Sequence, residues 1–228
     1  GLKKKAITKW ENGTGTPDIA NLMAIADLFQ ISVDELLSNE KSEKKQSNYI
    51  YESRTEYDID GKKNFDIKLG GAYAVDLKAY HGEKIEVAMF SNVYKNLLAD
   101  YKVKIDDIKN RIDIDLNRFN EASEADAKES LVITIFIPIK YIGKIELSVN
   151  AGTLNITDIE NEHIEVNGKI SEVTLQGNKS EIEIDSNLDM QISVLSHEGA
   201  LEINQLSATS RLTIPADYRF RSTKKGIA

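Results

Sequence analysis

Residues 144–177 read KIELSVNAGTLNITDIENEHIEVNGKISEVTLQG and contain four short segments in which two aliphatic residues flank one polar residue. Such pairs recur at intervals of 9 to 11 residues up to residue 214. The eight pairs are Ile145/Leu147, Leu154/Ile156, Ile164/Val166, Val173/Leu175, Ile182/Ile184, Ile192/Val194, Leu201/Ile203 and Leu212/Ile214. A period of two residues indicates β-strands with one buried and one solvated face.

The polar residue inside each pair alternates between two types. The first type is always an acid, namely Glu146, Glu165, Glu183 and Glu202. The second type is a small polar residue, namely Asn155, Thr174, Ser193 and Thr213. The repeat unit is therefore about 19 residues long and contains two strands, which is typical of a solenoid.

This arithmetic predicts a β-solenoid or β-roll in which like strands stack in parallel register, about 4.8 Å apart. The sixteen aliphatic residues of the pairs would then form buried ladders, and the four glutamates would form one outer row. An antiparallel β-sandwich remains an alternative. If successive strands entered opposite sheets, the polar residue between the aliphatic pair would also alternate between two types. The coil, unlike the sandwich, places Glu165 beside Glu146 and Glu183.

Residues 49–143 contain further short alternating segments, which predict strands that are half exposed to water. The segments are residues 57–60, 65–69, 75–77, 85–87, 103–105, 112–116 and 131–137. Residues 92–100 are predicted to be a short helix or a loop, and the polar run 120–130 is predicted to be an exposed excursion. We expect the chain to consist of a helical segment at residues 1–38, a polar linker at residues 39–48 and a β domain at residues 49–228.

Residues 1–38 show a helical pattern instead. Along residues 2–10, one face of the predicted helix is apolar, and the other face is formed by Lys4, Lys5, Thr8 and Lys9. Asn12 and Gly13 indicate the end of this helix. Thr16 is an N-cap candidate for the next helix, with Pro17 at its first position. A capping box at residues 32–35 starts a third helix.

The stretch AITKWENGTGTPDIANLMAIADLFQISVDELL, residues 6–37, resembles the Cro/C1-type (XRE) helix-turn-helix family from its recognition helix onward. The resemblance implies that residues 3–12 enter the DNA major groove, where Lys4, Lys5, Thr8 and Lys9 contact bases and phosphates. Family members usually carry Ser or Thr at the position of Lys3 and often Gln at the position of Lys5. These two departures favour phosphate contact over base readout. The first two helices of that family are absent, so the sequence is expected to be a partial record of a longer protein.

The β region also resembles a known family, the bacterial "putative adhesin" β-repeat domain of unknown function. The residues that carry the resemblance are LVITIFIPIKYIGKIELSVNAGTLNITDIENEHIEVNGKISEVTLQG, with IEIDSN and LEINQL further on. It runs from about residue 55 to the end and implies a β-solenoid-like architecture with no assigned active site. Residues 213–228, TIPADYRFRSTKKGIA, are predicted to start another unit.

The sequence offers little for catalysis. Cysteine is absent, which excludes disulfides and thiolate chemistry. His81, His163 and His197 are widely separated and do not have the spacing of a catalytic triad. The paired carboxylates Asp113 and Asp115 are interpreted as a solvated strand face. We therefore expect neither an enzyme, nor a cofactor, nor a bound metal; the row Glu146, Glu165, Glu183 and Glu202 is the best candidate for a cation or basic-partner surface.

The net charge of −8 lies entirely outside the helical segment. Residues 1–48 hold seven lysines and seven acids, so the remaining residues hold 22 basic and 30 acidic side chains. A polyanion would be repelled by this second part. The sequence has no apolar run of about 18 residues and no export signal, so a soluble cytoplasmic protein without a membrane partner is expected.

Two functional hypotheses follow. The first is a DNA-binding transcriptional regulator whose C-terminal β-repeat domain senses a ligand, binds a protein or forms a homo-oligomer. The second is a structural or adhesion-type β module in which the helical segment has no DNA-binding role.

Overall fold

The computed structural model describes residues 18, 19, 21–23, 49–120 and 122–224. The chain divides into two units, residues 1–46 and residues 47–228. Among the described residues, no helix combines the length and the apolar character that a membrane span requires. The predicted linker at 39–48 lies outside the described residues.

In the first unit, Ile19 and residues 21–23 are helical. The backbone amide of Asn21 donates to Oδ1 of Asp18 over 2.9 Å, and the amide of Leu22 donates to the Asp18 carbonyl over 2.9 Å. A side chain that accepts from the amide three residues ahead is the hydrogen bond of a helix N-cap. The N-cap of the described helix is therefore Asp18, two residues after the predicted Thr16; Thr16 and Pro17 themselves lie outside the described residues.

The second unit consists mainly of strands. Their bounds are β1 (Tyr51–Asp58), β2 (Lys63–Tyr80), β3 (Lys84–Ser91), β4 (Tyr101–Ile108), β5 (Arg111–Arg118), β6 (Val132–Pro138), β7 (Ile142–Thr157), β8 (Glu160–Gln176), β9 (Asn178–Asp185), β10 (Met190–Val194), β11 (His197–Glu198), β12 (Leu201–Asn204) and β13 (Ser210–Thr213). Two short helices, α1 (Leu97–Asp100) and α2 (Glu124–Ser130), and a 3-10 turn (Ile139–Tyr141) complete it. The predicted excursion at 120–130 thus contains a helix, which Ser123 caps and whose Ala127 is buried.

The three longest strands, β2, β7 and β8, bend near their centres and contribute to two faces. Gly70 and Gly168 lie in these bends with φ angles of +68° and +144°, which side chains other than glycine rarely adopt. At Gly168 the backbones also approach closely, because a Cβ there would lie 1.8 Å from the carbonyl oxygen of Val149. The bends allow one rung of the coil to be built from one continuous strand.

Parallel pairing joins the rungs on both faces. On the first face, the order is β5, β2, β7, β8, β9 and β12. On the second face, the order is β6, β2, β7, β8, β10 and β13. Antiparallel strands extend this arrangement at the N-terminal end, where β4 pairs with β5, β3 pairs with β6 and β1 pairs with β3.

The register confirms the predicted coil. Glu165 lies opposite Glu146 on one side and opposite Glu183 on the other, and Glu202 lies opposite Glu183. The small polar residues are aligned in the same way on the second face. The alternative of an antiparallel sandwich is wrong for residues 142–214, because every pair between these rungs is parallel.

The coil extends further than the repeat identified in the sequence. In β2, Phe65 and Ile67 pair with Ile145 and Leu147, and Asp66 pairs with Glu146. Strand β2 is thus a full rung, although more than 60 residues separate it from its neighbour β7. Strands β5 and β6 form the rung on its other side. Strands β2, β5 and β6 are therefore rungs of the coil. In β2 and β5 buried residues alternate with half-buried or exposed ones, as predicted for half-exposed strands, whereas nearly all of β6 is buried.

The core is closed at one end and open at the other. Of the sixteen aliphatic residues predicted to be buried, the twelve up to Val194 have exposures of 4% or less. The last four are not buried, since Leu212 is 46% exposed and Leu201, Ile203 and Ile214 are half-buried. The prediction is wrong for these four because no described strand pairs with the outer edge of β12 or of β13. At the N-terminal end, Leu97 of α1 and Tyr101 are buried and cover the core.

Candidate functional site

The acidic row is a line of like charges that the rungs build. We define it as Glu146, Glu165, Glu183 and Glu202, which the parallel register places side by side. Neighbouring residues in such a register are about 4.8 Å apart along the coil. The inward residues on either side of each glutamate hold the row in place, because their burial determines which face the glutamate occupies.

The row continues into residues that sequence reasoning missed. Asp66 lies opposite Glu146, and Asp113 lies opposite Asp66. The segments around them, F-D-I and I-D-I, have the same form as the I-E-L and I-E-V segments of the repeat. That likeness was the available signal, but the segments lie outside the regular spacing because the chain does not visit the rungs in sequence order.

Cations compensate only the N-terminal part of this line of carboxylates. Lys68 Nζ donates to Asp66 over 2.8 Å, and Arg111 donates to both oxygens of Asp113 over 2.6 and 2.9 Å. These hydrogen bonds and the nearby negative charge raise the pKa values of Lys68 and Arg111. The cations therefore remain charged and neutralise their partners over the neutral pH range.

The acidic row itself is held mainly by amides. Asn167 Nδ2 donates to Glu165 over 2.8 Å, and Asn204 Nδ2 donates to Glu183 over 2.8 Å. His163 Nε2 lies 3.9 Å from Glu183, and Arg111 interacts electrostatically with Glu146. The acidic row thus retains most of its negative charge, which can attract cations or a basic surface.

The geometry does not favour a metal centre. A flat row places carboxylates side by side, whereas a bound ion needs oxygens that converge on one point. Within the described parts of the chain, no group of three or more His, Cys, Asp or Glu side chains is arranged to hold a metal ion.

On the second face the polar residues form hydrogen bonds along the coil. Asn155 Nδ2 donates to Asp76 Oδ1 over 2.7 Å, and Thr134 Oγ1 donates to Asp76 Oδ2 over 3.3 Å. Asp76 is thus bridged to the rungs on both sides. Asp76, Thr134 and Asn155 therefore satisfy one another on this face.

A groove of about 1220 Å³ lies at the open C-terminal end. Its apolar lining includes Leu201, Ile203, Leu212 and Ile214, and residues 218–223 form its other wall. Sequence reasoning did not predict this groove. His197 also lines the groove, whereas His163 lies beside the acidic row, so the structure assigns these two histidines to different surfaces.

The predicted DNA-contacting residues Lys4, Lys5, Thr8 and Lys9 lie outside the described residues. Evidence on this segment comes from comparison with known proteins. A helix-turn-helix family model matches residues 1–36. This match confirms the resemblance noted in the sequence of the first unit.

A curated relative with similarity to this chain is the HTH-type transcriptional activator BcrR of Enterococcus faecalis. The two are 38% identical over 61 residues, which represent 22% of this chain and 30% of the relative. The chain therefore spans less than a third of the length of this relative.

Several solved structures that align with part of the chain are named as adhesins or cell adhesion proteins. A putative cell adhesion protein from Clostridium sporogenes aligns with a TM-score of 0.49 and 8% identity, over 72% of this chain and 99% of that one. A putative adhesin from Parabacteroides merdae aligns with a TM-score of 0.27 and 11% identity, over 72% and 95%. A putative adhesin from Bacteroides fragilis aligns with a TM-score of 0.29 and 12% identity, over 72% and 96%.

Proposed function

We propose that this chain is part of a DNA-binding transcriptional regulator, in which the first unit contacts DNA and the β domain is an interaction or assembly module. The observation that carries the proposal is the helix-turn-helix match over residues 1–36. The similarity to a transcriptional activator over 61 residues supports it. Helix-turn-helix domains place one helix in the major groove of DNA.

We assign the DNA contacts to Lys4, Lys5, Thr8 and Lys9. The three lysines can neutralise phosphates, and the hydroxyl of Thr8 can donate to a phosphate or a base edge. Lysine carries a compact point charge without the bidentate fork of arginine, so these residues favour phosphate positioning over base readout.

The charge of the β domain supports a division of roles. The part of the chain beyond residue 48 holds 22 basic and 30 acidic side chains, and its acidic row is largely uncompensated. DNA is repelled by such a surface, so the β domain would not contribute to the DNA contacts. In this arrangement the acidic row is available to a basic partner, to cations or to a second subunit, and the β domain serves in sensing, protein contact or oligomerisation.

The decisive experiment measures DNA binding by the natural protein that contains this chain. Duplexes are first selected from a random-sequence pool, and affinity is then measured by fluorescence anisotropy between 50 and 300 mM salt. The double variant Lys4→Ala/Lys5→Ala should bind more weakly, and the slope of log K against log [salt] should fall by about 2, because each phosphate contact contributes about 0.9 to that slope.

A matched control removes two lysines from the β domain. Lys169 and Lys179 are exposed on the coil, so Lys169→Ala/Lys179→Ala changes the net charge equally. This control should leave both affinity and salt slope nearly unchanged. If the two double variants behave alike, or if no duplex is selected, the assignment of DNA binding to the first unit is wrong.

A further inference from the structure

The last coil of the β domain lacks a neighbour on one side. Within the described residues, β12 pairs only with β9, and β13 pairs only with β10. Exposed strand edges and exposed aliphatic side chains favour pairing with a further strand. Repeat proteins usually cover such ends with a capping element, and at the opposite end of this coil α1 has that role.

The spacing of the rungs identifies a segment that would fit this end. On the first face, equivalent inward positions follow one another as Ile145, Ile164, Ile182 and Leu201, in steps of 19, 18 and 19 residues. A further step of 19 from Leu201 reaches Phe220. The same step from Glu202 reaches Arg221.

Residues 218–223, which we call the C-terminal strap, have the composition of such a rung. They read YRFRST, in which aromatic residues alternate with Arg219 and Arg221. Alternation of this kind is the pattern of a strand with one apolar face. The strap forms one wall of the groove beside β12, and Phe220 is 63% exposed there.

The start of the strap is already held at the corner of the last coil. Tyr218 is half-buried and packs against the core, and its hydroxyl oxygen accepts a hydrogen bond from the His197 amide over 2.8 Å. The amide of Tyr218 also donates to the carbonyl of Pro215 over 3.1 Å, which closes a turn after β13. Phe220 lies only two residues beyond this anchor, within easy reach of Leu201.

Charge at the end of the acidic row complements the strap. Among the described residues, neither Glu202 nor Arg221 forms an ion pair. An arginine beside Glu202 would terminate the acidic row with a positive charge and would offset the repulsion between its members. Arg221 is the residue that the repeat spacing brings to this position.

The geometry points to a closing movement: the C-terminal strap pairs with β12 as a parallel strand, with Phe220 packed over Leu201 and Arg221 beside Glu202. Closure fills the groove and removes the β12 edge from contact with other chains. Opening exposes the edge and the apolar floor to a partner strand. The strap therefore regulates access to this end of the β domain, independently of DNA binding by the first unit.

The absence of cysteine from the sequence allows a direct test by disulfide trapping. In the closed state the Cα atoms of residues 202 and 221 would be about 4.8 Å apart, which is within the range that a disulfide bridges. The variant Glu202→Cys/Arg221→Cys should therefore become cross-linked within one chain under mild oxidation. The product is a monomer with altered mobility on a non-reducing gel.

The control Asn204→Cys/Arg219→Cys exchanges residues on the same outer faces but out of register. The shift of four residues separates its Cα atoms by about 13 Å in the closed state, so it should show little cross-linking. Equal cross-linking of the two variants would refute the proposed register. Cross-linked dimers in place of the monomer would also overturn the inference, since the strap would then belong to another copy.

Proteolysis provides a second measurement that needs no cysteine. Trypsin cleaves after Arg219 and Arg221, and a docked strand is a poor substrate because its backbone is held in the sheet. Phe220→Ala should increase cleavage at these sites by roughly tenfold, since the buried area of one aromatic ring is lost. Phe119→Ala, which removes another exposed ring, should leave cleavage at these sites unchanged; equal rates in all three proteins would mean that the strap does not dock.

Discussion

Replacing one charge of the acidic row should stabilise the β domain. Glu165 lies between Glu146 and Glu183 in parallel register, so its carboxylate is repelled from both sides. The variant Glu165→Gln removes this charge and keeps an oxygen that can accept the hydrogen bond from Asn167, which is 2.8 Å long. The substitution therefore isolates electrostatic repulsion from packing.

The size of the effect follows from Coulomb's law. At a separation of about 4.8 Å and the dielectric constant of water, one pair of charges repels by about 0.9 kcal/mol, so the two neighbours together contribute about 1.7 kcal/mol. Screening leaves about 1.5 kcal/mol at 0.01 M salt and about 0.3 kcal/mol at 1 M, where the Debye length is only about 3 Å. A domain of this size gains about 2–4 °C in Tm per kcal/mol, so the gain should be about 3–6 °C at low salt.

The assay is thermal unfolding of both proteins, followed by circular dichroism at 0.01 M and 1 M salt. Glu162→Gln is the matched control, because Glu162 forms an ion pair with Lys144 over 3.1 Å and its loss removes an attraction. The control should show no gain at either salt concentration. A loss of stability in Glu165→Gln, or a gain that does not decrease with salt, would refute the repulsive row.

Two further predictions concern the bends of the coil and its pH dependence. Gly168→Ala should lower the free energy of unfolding by about 3 kcal/mol or more, because φ is +144° and the new Cβ would lie 1.8 Å from the carbonyl oxygen of Val149. Gly61→Ala, where no atom lies within 4 Å of the new Cβ, should have little effect; urea unfolding that ranks the two equally would contradict this account. The pKa of Glu124 is lowered by the hydrogen bond from Asn150 and, against the effect of burial, by two nearby cations. Because the pKa of Glu124 is lower in the folded state than in the unfolded state, its ionised form stabilises the folded protein. This stabilisation is fully present above the unfolded-state pKa of about 4.3 and is lost as the pH falls through the folded-state pKa. Urea unfolding should therefore show Glu124→Gln to be less stable than the wild type at pH 7, and the difference should shrink as the pH falls below about 4.3; a difference that stays constant over this range would count against this linkage.

The parallel coil could be predicted because its information is local. Buried and solvated positions alternate along each strand, and the residue between the buried pair differs between the two faces. These features constrain the register, since a slip of one residue would expose Ile164 and bury Glu165. The helix-turn-helix resemblance was likewise contained in one contiguous stretch, and the family match at residues 1–36 confirms it.

The errors have physical causes of a different kind. The N-cap of the described helix is Asp18, two residues after the expected Thr16, because several polar residues near a helix start can accept the same amide hydrogen bonds. The last rung was expected to be buried like the others, but burial depends on a neighbour that the local pattern does not specify. The acidic row was predicted as a row of four, and its continuation through Asp66 and Asp113 was missed.

The residues themselves specify which side chains face the core, where the chain bends and how far apart equivalent positions lie, because these properties depend on alternation and on backbone freedom within a few residues. The order of the rungs in space depends on contacts between distant segments. Strand β2 lies beside β7, and β5 and β6 lie on its other side, because this arrangement joins their aliphatic faces into one core. The same long-range packing covers one end of the coil with α1 and leaves the groove beside β12 open, which no local period in the chain could specify.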